Sequence, residues 1–366
     1  MRRKSPHRPP HTEIPAPRVV AIGKALPPYR YAQEDITSAL ARATRMDSPT
    51  SLQVLRQVRE NSGVATRHLS APLPELARLT DFTEANRAWR RTALELAERA
   101  LTEALEAAEV LPREVDAVIS TTVTGLAVPS LEGLLAHRAG LRPDVQRVPL
   151  FGHGCAGGAA GLARLNDYLR AHPGRTAVLL AVELCSLTFR PQDGSMTNLI
   201  AGSLFGDGAA AVVAVGGHRA TADGPALLDS HSRLVPGTEA ALGWEIGSFG
   251  FRILLSPDIP ALVAEHLPPA ARALLGAHGL EPRHVGSWIC HGGGPKVLTA
   301  VEEALGLPPA ALDLTRRSLA EHGNLSSVAV LDVLRTRMSA PPPQGTVGLV
   351  AAMGPGFAIE LVLLRW

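Results

Sequence analysis

The sequence predicts an α/β fold of two similar halves, with mostly parallel central sheets layered with helices. Three observations predict it. Helical and strand periodicities alternate along the chain, the second half repeats the plan of the first, and residues 176–183 form a nearly continuous apolar strand of the kind buried on both faces.

The elements follow in order. Residues 1–16 are basic and Pro-rich with no apolar stretch behind them, so they read as a mobile tail and not as a signal peptide. Leu94, Ala97, Leu101, Leu105 and Ala108 recur at helical spacing within 89–111, and 115–121 then reads as a half-buried strand. Residues 147–151 form a short strand that ends in the glycine-rich run 152–158, after which 159–170 is rich in helix formers. The segment 204–213 reads as a strand with an Asp-Gly turn before it. A break near Gly216 and Gly217 separates halves 17–216 and 217–366. The second half brings a helix at 261–276, a strand at 284–291, helices at 296–305 and 325–338, and strands at 346–353 and 357–364. The long apolar stretch 346–364 is interrupted by Gly354, Pro355 and Gly356 and charged by Glu360, so it is two strands about a turn and no membrane span.

Composition narrows the function. The 366 residues are enough for about two folding units. Hydrophobic residues make up 46% but aromatics only 4%, so Ala, Val and Leu must pack the core. Lys plus Arg (36) against Asp plus Glu (34) leaves +2, which offers no basic field for nucleic acid. Cys155, Cys185 and Cys290 are odd in number and form no CxxC pair, which excludes a disulfide scaffold and a structural zinc cage. They favour a reducing, cytoplasmic setting.

Two readings compete at the glycine-rich run. Gly152, Gly154 and Gly157 match a dinucleotide fingerprint after a strand and before a helix, with Glu183 at the end of the next strand where a ribose-binding acid would stand. Against this oxidoreductase reading, about 150 residues precede a motif that usually opens its domain. The alternative is that the glycines serve Cys155: at the first turn of a helix its thiol faces the positive dipole end, which lowers its pKa. His291 ends a strand over the glycine loop 292–294, at the mouth of a sheet where α/β sites form. Asn324 opens a helix and reads equally as an N-cap. The repeated plan lets Cys155, His291 and Asn324 come together as a thiolate, an imidazolium and oxyanion donors. A papain-like protease shares this residue set and a comparable Cys-to-His separation, but the chain lacks that family's signature around the cysteine and its disulfides.

With these residues assembled, the chain resembles type III polyketide synthases, the chalcone-synthase-like branch of the thiolase fold, from about Arg18 onward. The resemblance is carried by segments 154–158, 183–190, 204–211, 291–295, 323–327 and 354–356. Ketoacyl synthases of type III share Cys, His and Asn but carry His-Gln-Ala-Asn at the histidine, and thiolases use a second cysteine in place of the asparagine. The resemblance implies that Cys155 accepts an acyl group from a CoA thioester and that His291 keeps it as thiolate. It implies that His291 and Asn324 stabilise the enolate left when malonyl-CoA loses CO2. Rounds of condensation and cyclisation follow, to alkylpyrones or alkylresorcinols from fatty acyl starters if the likeness of 183–189 and 124–131 to such bacterial enzymes holds. A ketoacyl synthase that condenses once is the alternative within the superfamily.

The same resemblance assigns Phe205 and Phe251 as gatekeepers, and Glu183, Cys185, Thr188 and Ser326 to the cavity. Val128 takes the place of the methionine that crosses the dimer interface in plant enzymes. Gly354, Pro355 and Gly356 scaffold the cyclisation pocket. Arg56 and Arg59 match CoA-phosphate contacts; Gly63 replaces the third expected lysine, and Lys296 beside the His291 loop supplies a charge in its stead. The implied protein is a homodimer that acts on acyl-CoA and malonyl-CoA with no metal and no resident cofactor. Ala352 and Met353 before the Gly-Pro-Gly turn, and Gly292 after His291, depart from the family pattern.

Overall fold

The computed structural model describes residues 15–46, 48–219, 223–248, 250–308 and 310–366. The expected tail lies outside the described residues except for positions 15 and 16. Thirteen strands are described: β1 (Arg18–Ala25), β2 (Tyr29–Ala32), β3 (Thr66–Leu69), β4 (Ala117–Thr122), β5 (Gln146–Phe151), β6 (Thr176–Leu184), β7 (Asp207–Val215), β8 (Ala226–Leu234), β9 (Leu242–Gly247), β10 (Gly250–Leu255), β11 (Val285–Cys290), β12 (Val347–Gly354) and β13 (Ala358–Arg365).

Nine of them form one sheet in the order β11-β12-β13-β8-β1-β7-β6-β4-β5. Outward from the β1–β8 seam, each half repeats the same pairings: antiparallel, antiparallel, parallel. The architecture is the duplicated α/β fold expected, but the sheet is mixed, which corrects the mostly parallel expectation. Among the described residues three neighbouring pairs are parallel and five antiparallel. A continuous apolar run reports burial on both faces and is silent on direction.

That burial has a layered origin. In β6, Ala177, Leu179 and Ala181 face a central core, while Val178, Leu180 and Val182 face an outer core against the helix Phe82–Ala107. In β13, Val362 and Leu364 face the same central core, and Leu361 and Leu363 an outer core with the helix Ile259–Ala277. Two helices, Gly157–Ala171 and Ser327–Ser339, fill the middle between the half-sheets. Residues 157–163 and 327–334 are buried without interruption, as a helix enclosed on all sides requires. Both begin beside the site described next. Among the described residues no helix is long and apolar enough to cross a membrane.

Candidate active site

Cys155 lies on a short 3-10 turn, Gly154–Ala156, that runs into the central helix Gly157–Ala171. The second central helix starts at Ser327, directly after Asn324 and Ser326. What lets the two beginnings meet is a missing side chain: a Cβ on Gly158 would stand 2.3 Å from the carbonyl oxygen of Ser327. Gly157, where a Cβ would stand 3.2 Å from Ser327 Cβ, and Gly158 therefore serve close helix packing, while Gly154 makes room for the Pro355 ring.

Asn324 is not the N-cap of its helix; Ser326 holds that position, with φ of 53° and no side-chain capping bond. A serine in this left-handed region is strained by about 1–3 kcal/mol, a cost that clusters at functional sites. The Asn324 Oδ1 accepts the Ser326 N–H at 2.8 Å. Its amide nitrogen is thereby left to donate toward the Cys155 sulfur. The Cys155 thiol also donates to Ser326 Oγ at 3.7 Å. Ser326 Oγ donates in turn to Glu183 Oε1 at 3.3 Å, and Ser327 Oγ donates to the same oxygen at 2.6 Å. The other carboxylate oxygen accepts the Val123 N–H at 3.2 Å and the Thr124 hydroxyl at 3.1 Å. Glu183 thus ties β6 to the loop after β4 and to the second central helix, with both oxygens spent inside the protein. No ribose is needed to satisfy it. Burial still pushes its carboxyl up to about 7.

His291 follows β11 and extends the parallel ladder, its N–H bonding Ala351 O at 2.9 Å. Its ring bonds the Ser326 backbone, while Nδ1 is buried without a hydrogen-bond partner among the described residues. The histidine and the cysteine therefore approach Ser326 from two sides. Burial depresses the imidazole to about 4 and pushes the Cys155 thiol up to about 12, with Glu183 adding to the rise and Ser326 and Asn324 opposing it. Both shifts favour neutral thiol and neutral imidazole in the resting protein. The lowered thiol expected from a helix N-terminus is corrected accordingly: the sulfur sits before the first α-turn, and desolvation outweighs its hydrogen bonds with Ser326 and Asn324.

A chamber, about 330 Å³ with its mouth, is walled by Cys155, Cys185, Phe205, Trp244, Ser326 and Pro355, among others. A larger cavity, about 810 Å³ with its mouth, shares Cys185, Phe205, Trp244 and Ile253 as walls and adds Thr188 and Phe251. Phe251 is wedged edge-on between Phe82 (5.6 Å) and Trp244 (5.8 Å), so it closes the outer cavity and does not wall the chamber. Trp244, on β9 opposite Ile253 of β10, takes the inner position. Sequence reasoning missed it, and it missed Thr124, which donates to Glu183 and accepts the Leu184 N–H. The alternation of Leu242, Trp244 and Ile246 was the available signal for Trp244. Pro355 lies in the β12–β13 turn that Gly354 and Gly356 frame, and so reaches the chamber. Val128 is 96% exposed and walls neither of these two cavities.

Arg56 is exposed and Arg59 half-buried on the helix Pro49–Ser62. Gly63 ends that helix at φ of 68°, and a Cβ there would stand 2.8 Å from the Pro295 ring. A lysine at this position would be strained and crowded. Lys296, exposed and next to Pro295, stands beside the spot the missing lysine would occupy.

Comparison with known proteins bears on these features. Residues 11–218 match the model for chalcone and stilbene synthases, N-terminal domain, and residues 226–366 the corresponding C-terminal domain. The chain is 52% identical over 351 residues to 1,3,6,8-tetrahydroxynaphthalene synthase of Streptomyces peucetius subsp. caesius, covering 95% of this chain and 93% of that one. It is 35% identical to the enzyme of the same name from Streptomyces coelicolor, over 90% of this chain and 87% of that one. The crystal structure of 1,3,6,8-tetrahydroxynaphthalene synthase from Streptomyces coelicolor, described as a bacterial type III polyketide synthase, superposes with a TM-score of 0.90 at 32% identity, over 95% of this chain and 99% of that one. The paired half-sheets, the buried cysteine at the head of a central helix and these matches lead to one conclusion: the chain belongs to the chalcone and stilbene synthase family, acyltransferases of the type III polyketide synthase class with a thiolase-like fold.

Proposed function

We propose that this chain builds a polyhydroxylated aromatic of the tetrahydroxynaphthalene type by repeated decarboxylative condensation of malonyl-CoA on Cys155. The observation that carries the reading is the sulfur of Cys155 in a small chamber, bonded by Ser326 and Asn324 side chains. As substrate enters, the thiol proton passes to His291 and the sulfur attacks the thioester carbonyl. CoA leaves as its thiol, taking a proton. A second malonyl thioester loses CO2, and the electron pair of the broken bond becomes an enolate. Its oxygen accepts hydrogen bonds from the Asn324 amide and a neutral His291 N–H, and its carbon attacks the acyl group on Cys155, breaking the carbon–sulfur bond to expel the Cys155 thiolate and leave a β-ketoacyl-CoA that reloads the cysteine for the next round. A depressed imidazole pKa suits this second role, since a neutral ring donates a proton bond without surrendering the proton.

The 52% identity to a tetrahydroxynaphthalene synthase supports this product class. All the carbons of that naphthalene can come from five two-carbon units, so malonyl-CoA suffices as sole substrate. A second reading, alkylpyrone or alkylresorcinol formation from fatty acyl-CoA, is favoured by the larger cavity, whose walls include Ile36, Leu40, Leu69, Leu73 and Leu76. We place CoA phosphates at Arg56, Arg59 and Lys296. We also place a two-fold partner on β5, one of the two edge strands of the large sheet, where Val148, Phe151 and Val128 are exposed. No metal or resident cofactor enters this scheme.

The test is incubation of purified protein with malonyl-CoA alone and with acyl-CoA starters from acetyl to long-chain, products being resolved by mass spectrometry. An aromatic pentaketide from malonyl-CoA alone, lost in Cys155→Ala, is expected. Products that form only with fatty acyl-CoA would transfer the assignment to the second reading, and a single-condensation β-ketoacyl thioester would remove both.

A further inference from the structure

Arg67 is a buried charged group that the mechanism leaves unused. It lies on β3, is 2% exposed, and among the described residues has no carboxylate hydrogen-bonded to its guanidinium. A cation buried without a bonded counter-charge is costly, and an aliphatic side chain would fill the same space without that cost. Its protons go elsewhere. Nη1 donates to Phe205 O at 2.6 Å, Nη2 to Gly202 O at 2.8 Å, and Nε to Gln33 Oε1 at 3.0 Å. Gln33 Nε2 donates to Ser203 O at 2.5 Å. Arg67 and Gln33 together therefore occupy carbonyls at the C-terminal end of the helix Met196–Leu204, groups that no intrahelical donor reaches.

The segment so gripped carries Phe205, and it is bridged to Asn324. Asn324 N–H donates to Leu204 O at 2.8 Å, and Gly206 N–H donates to Asn324 O at 3.0 Å. The methylenes of Arg67 also close on the other side of this bridge: a Cβ on Gly323 would stand 2.8 Å from Arg67 Cδ. One buried side chain thus touches the segment that carries the chamber wall and the segment that carries the amide bonded to Cys155.

We propose that Arg67 is a positioning residue, one that sets the register of the Phe205–Asn324 bridge and through it the aim of the Asn324 amide at the reacting sulfur and enolate oxygen. The proposal rests on the reading of Asn324 given above. The charge is retained at neutral pH: burial lowers the guanidinium only to about 10, with Asp207 opposing the fall from a distance.

The experiment measures malonyl-CoA decarboxylation by full-length Arg67→Met, Arg67→Lys, Asn324→Ala and the Arg67→Met/Asn324→Ala double variant, with thermal midpoints alongside. A misplacement of about 1 Å costs about 100-fold in rate. Arg67→Met should lose about that much in kcat with KM nearly unchanged, and Arg67→Lys, which can reach one carbonyl, should recover part of it. Two residues acting as one unit are non-additive. The double variant should therefore be no slower than Asn324→Ala. Additive losses, or undiminished kcat in Arg67→Met, would overturn the proposal while Asn324→Ala remains impaired. Normal decarboxylation by Asn324→Ala would instead remove the reading of Asn324. If Arg67→Met does not fold, the same comparison is made with Arg67→Lys and Gln33→Leu, single and combined with Asn324→Ala.

Discussion

Gly158→Ala is the sharpest probe of how the fold makes the site, because Gly158 faces no substrate. Its added methyl would stand 2.3 Å from Ser327 O and 2.7 Å from Val330 Cγ1. A carbon–oxygen contact needs about 3.3 Å, so the two central helices must separate by about 1 Å at their N-terminal ends. Overpacking of this kind costs about 1–3 kcal/mol of stability. The functional cost is larger, since Cys155 precedes one helix and Asn324 and Ser326 the other: a shift of about 1 Å in their relative placement predicts about a 100-fold loss of condensation rate. The assay pairs product formation from malonyl-CoA with thermal unfolding of the same preparation. A stably folded Gly158→Ala variant with turnover within about threefold of the parent would refute the claim that this close approach assembles the site.

Two further outcomes follow from burial and exposure. Glu183 has its folded-state pKa raised from 4.5 to about 7, so its contribution is fully present below pH 4.5 and is lost as pH rises through 7, at a cost of up to about 3 kcal/mol. In Glu183→Gln the oxygen facing the Val123 N–H is kept and the new amide donates to the Ser326 and Ser327 hydroxyls. Its thermal midpoint should therefore gain on that of the parent as pH rises from about 5 to 8, and parallel curves would show that the buried carboxyl is not the titrating group. For the two-fold partner on β5, light scattering should give a dimer for the parent and a monomer for Phe151→Glu; a monomeric parent would dispose of that placement.

Much of the second half of the chain was legible. The expected helix at 296–305 and strands at 346–353 and 357–364 are Pro295–Leu305, Val347–Gly354 and Ala358–Arg365, because long apolar periodicity and a Gly-Pro-Gly turn leave few alternatives. Strand direction was not legible: alternate residues of β6 and β7 face two different cores, and that pattern is the same for parallel and antiparallel neighbours. The helix Phe82–Ala107 begins well before the expected 89, at an Asp81 side chain that accepts the Glu84 N–H. A cap is one residue among many Asp, Ser and Thr that cap nothing, so it is a weak signal alone. At the site, the meeting of Cys155 and Asn324 could be inferred from the repeated plan. The Ser326 link between them could not, since it depends on a φ of 53° that no serine advertises.

The duplication also explains the electrostatic character of the chamber. Each half contributes a central helix, Gly157–Ala171 after β5 and Ser327–Ser339 after the helix Asp313–His322, and packing the two start to start brings two positive dipole ends to one place. The chamber walls hold no Lys or Arg among the described residues. Both facts suit a decarboxylation. A cation beside the malonyl carboxylate would stabilise the ground state and raise the barrier to losing CO2, whereas fixed neutral donors at the thioester oxygen strengthen only as negative charge moves there. On the proposed function the basic residues belong outside, at the CoA phosphates, and the neutrality that burial favours in His291 suits the carbon–carbon bond-forming step. Introducing a lysine at the chamber wall, as in Leu242→Lys, should slow CO2 release even where malonyl-CoA binds more tightly.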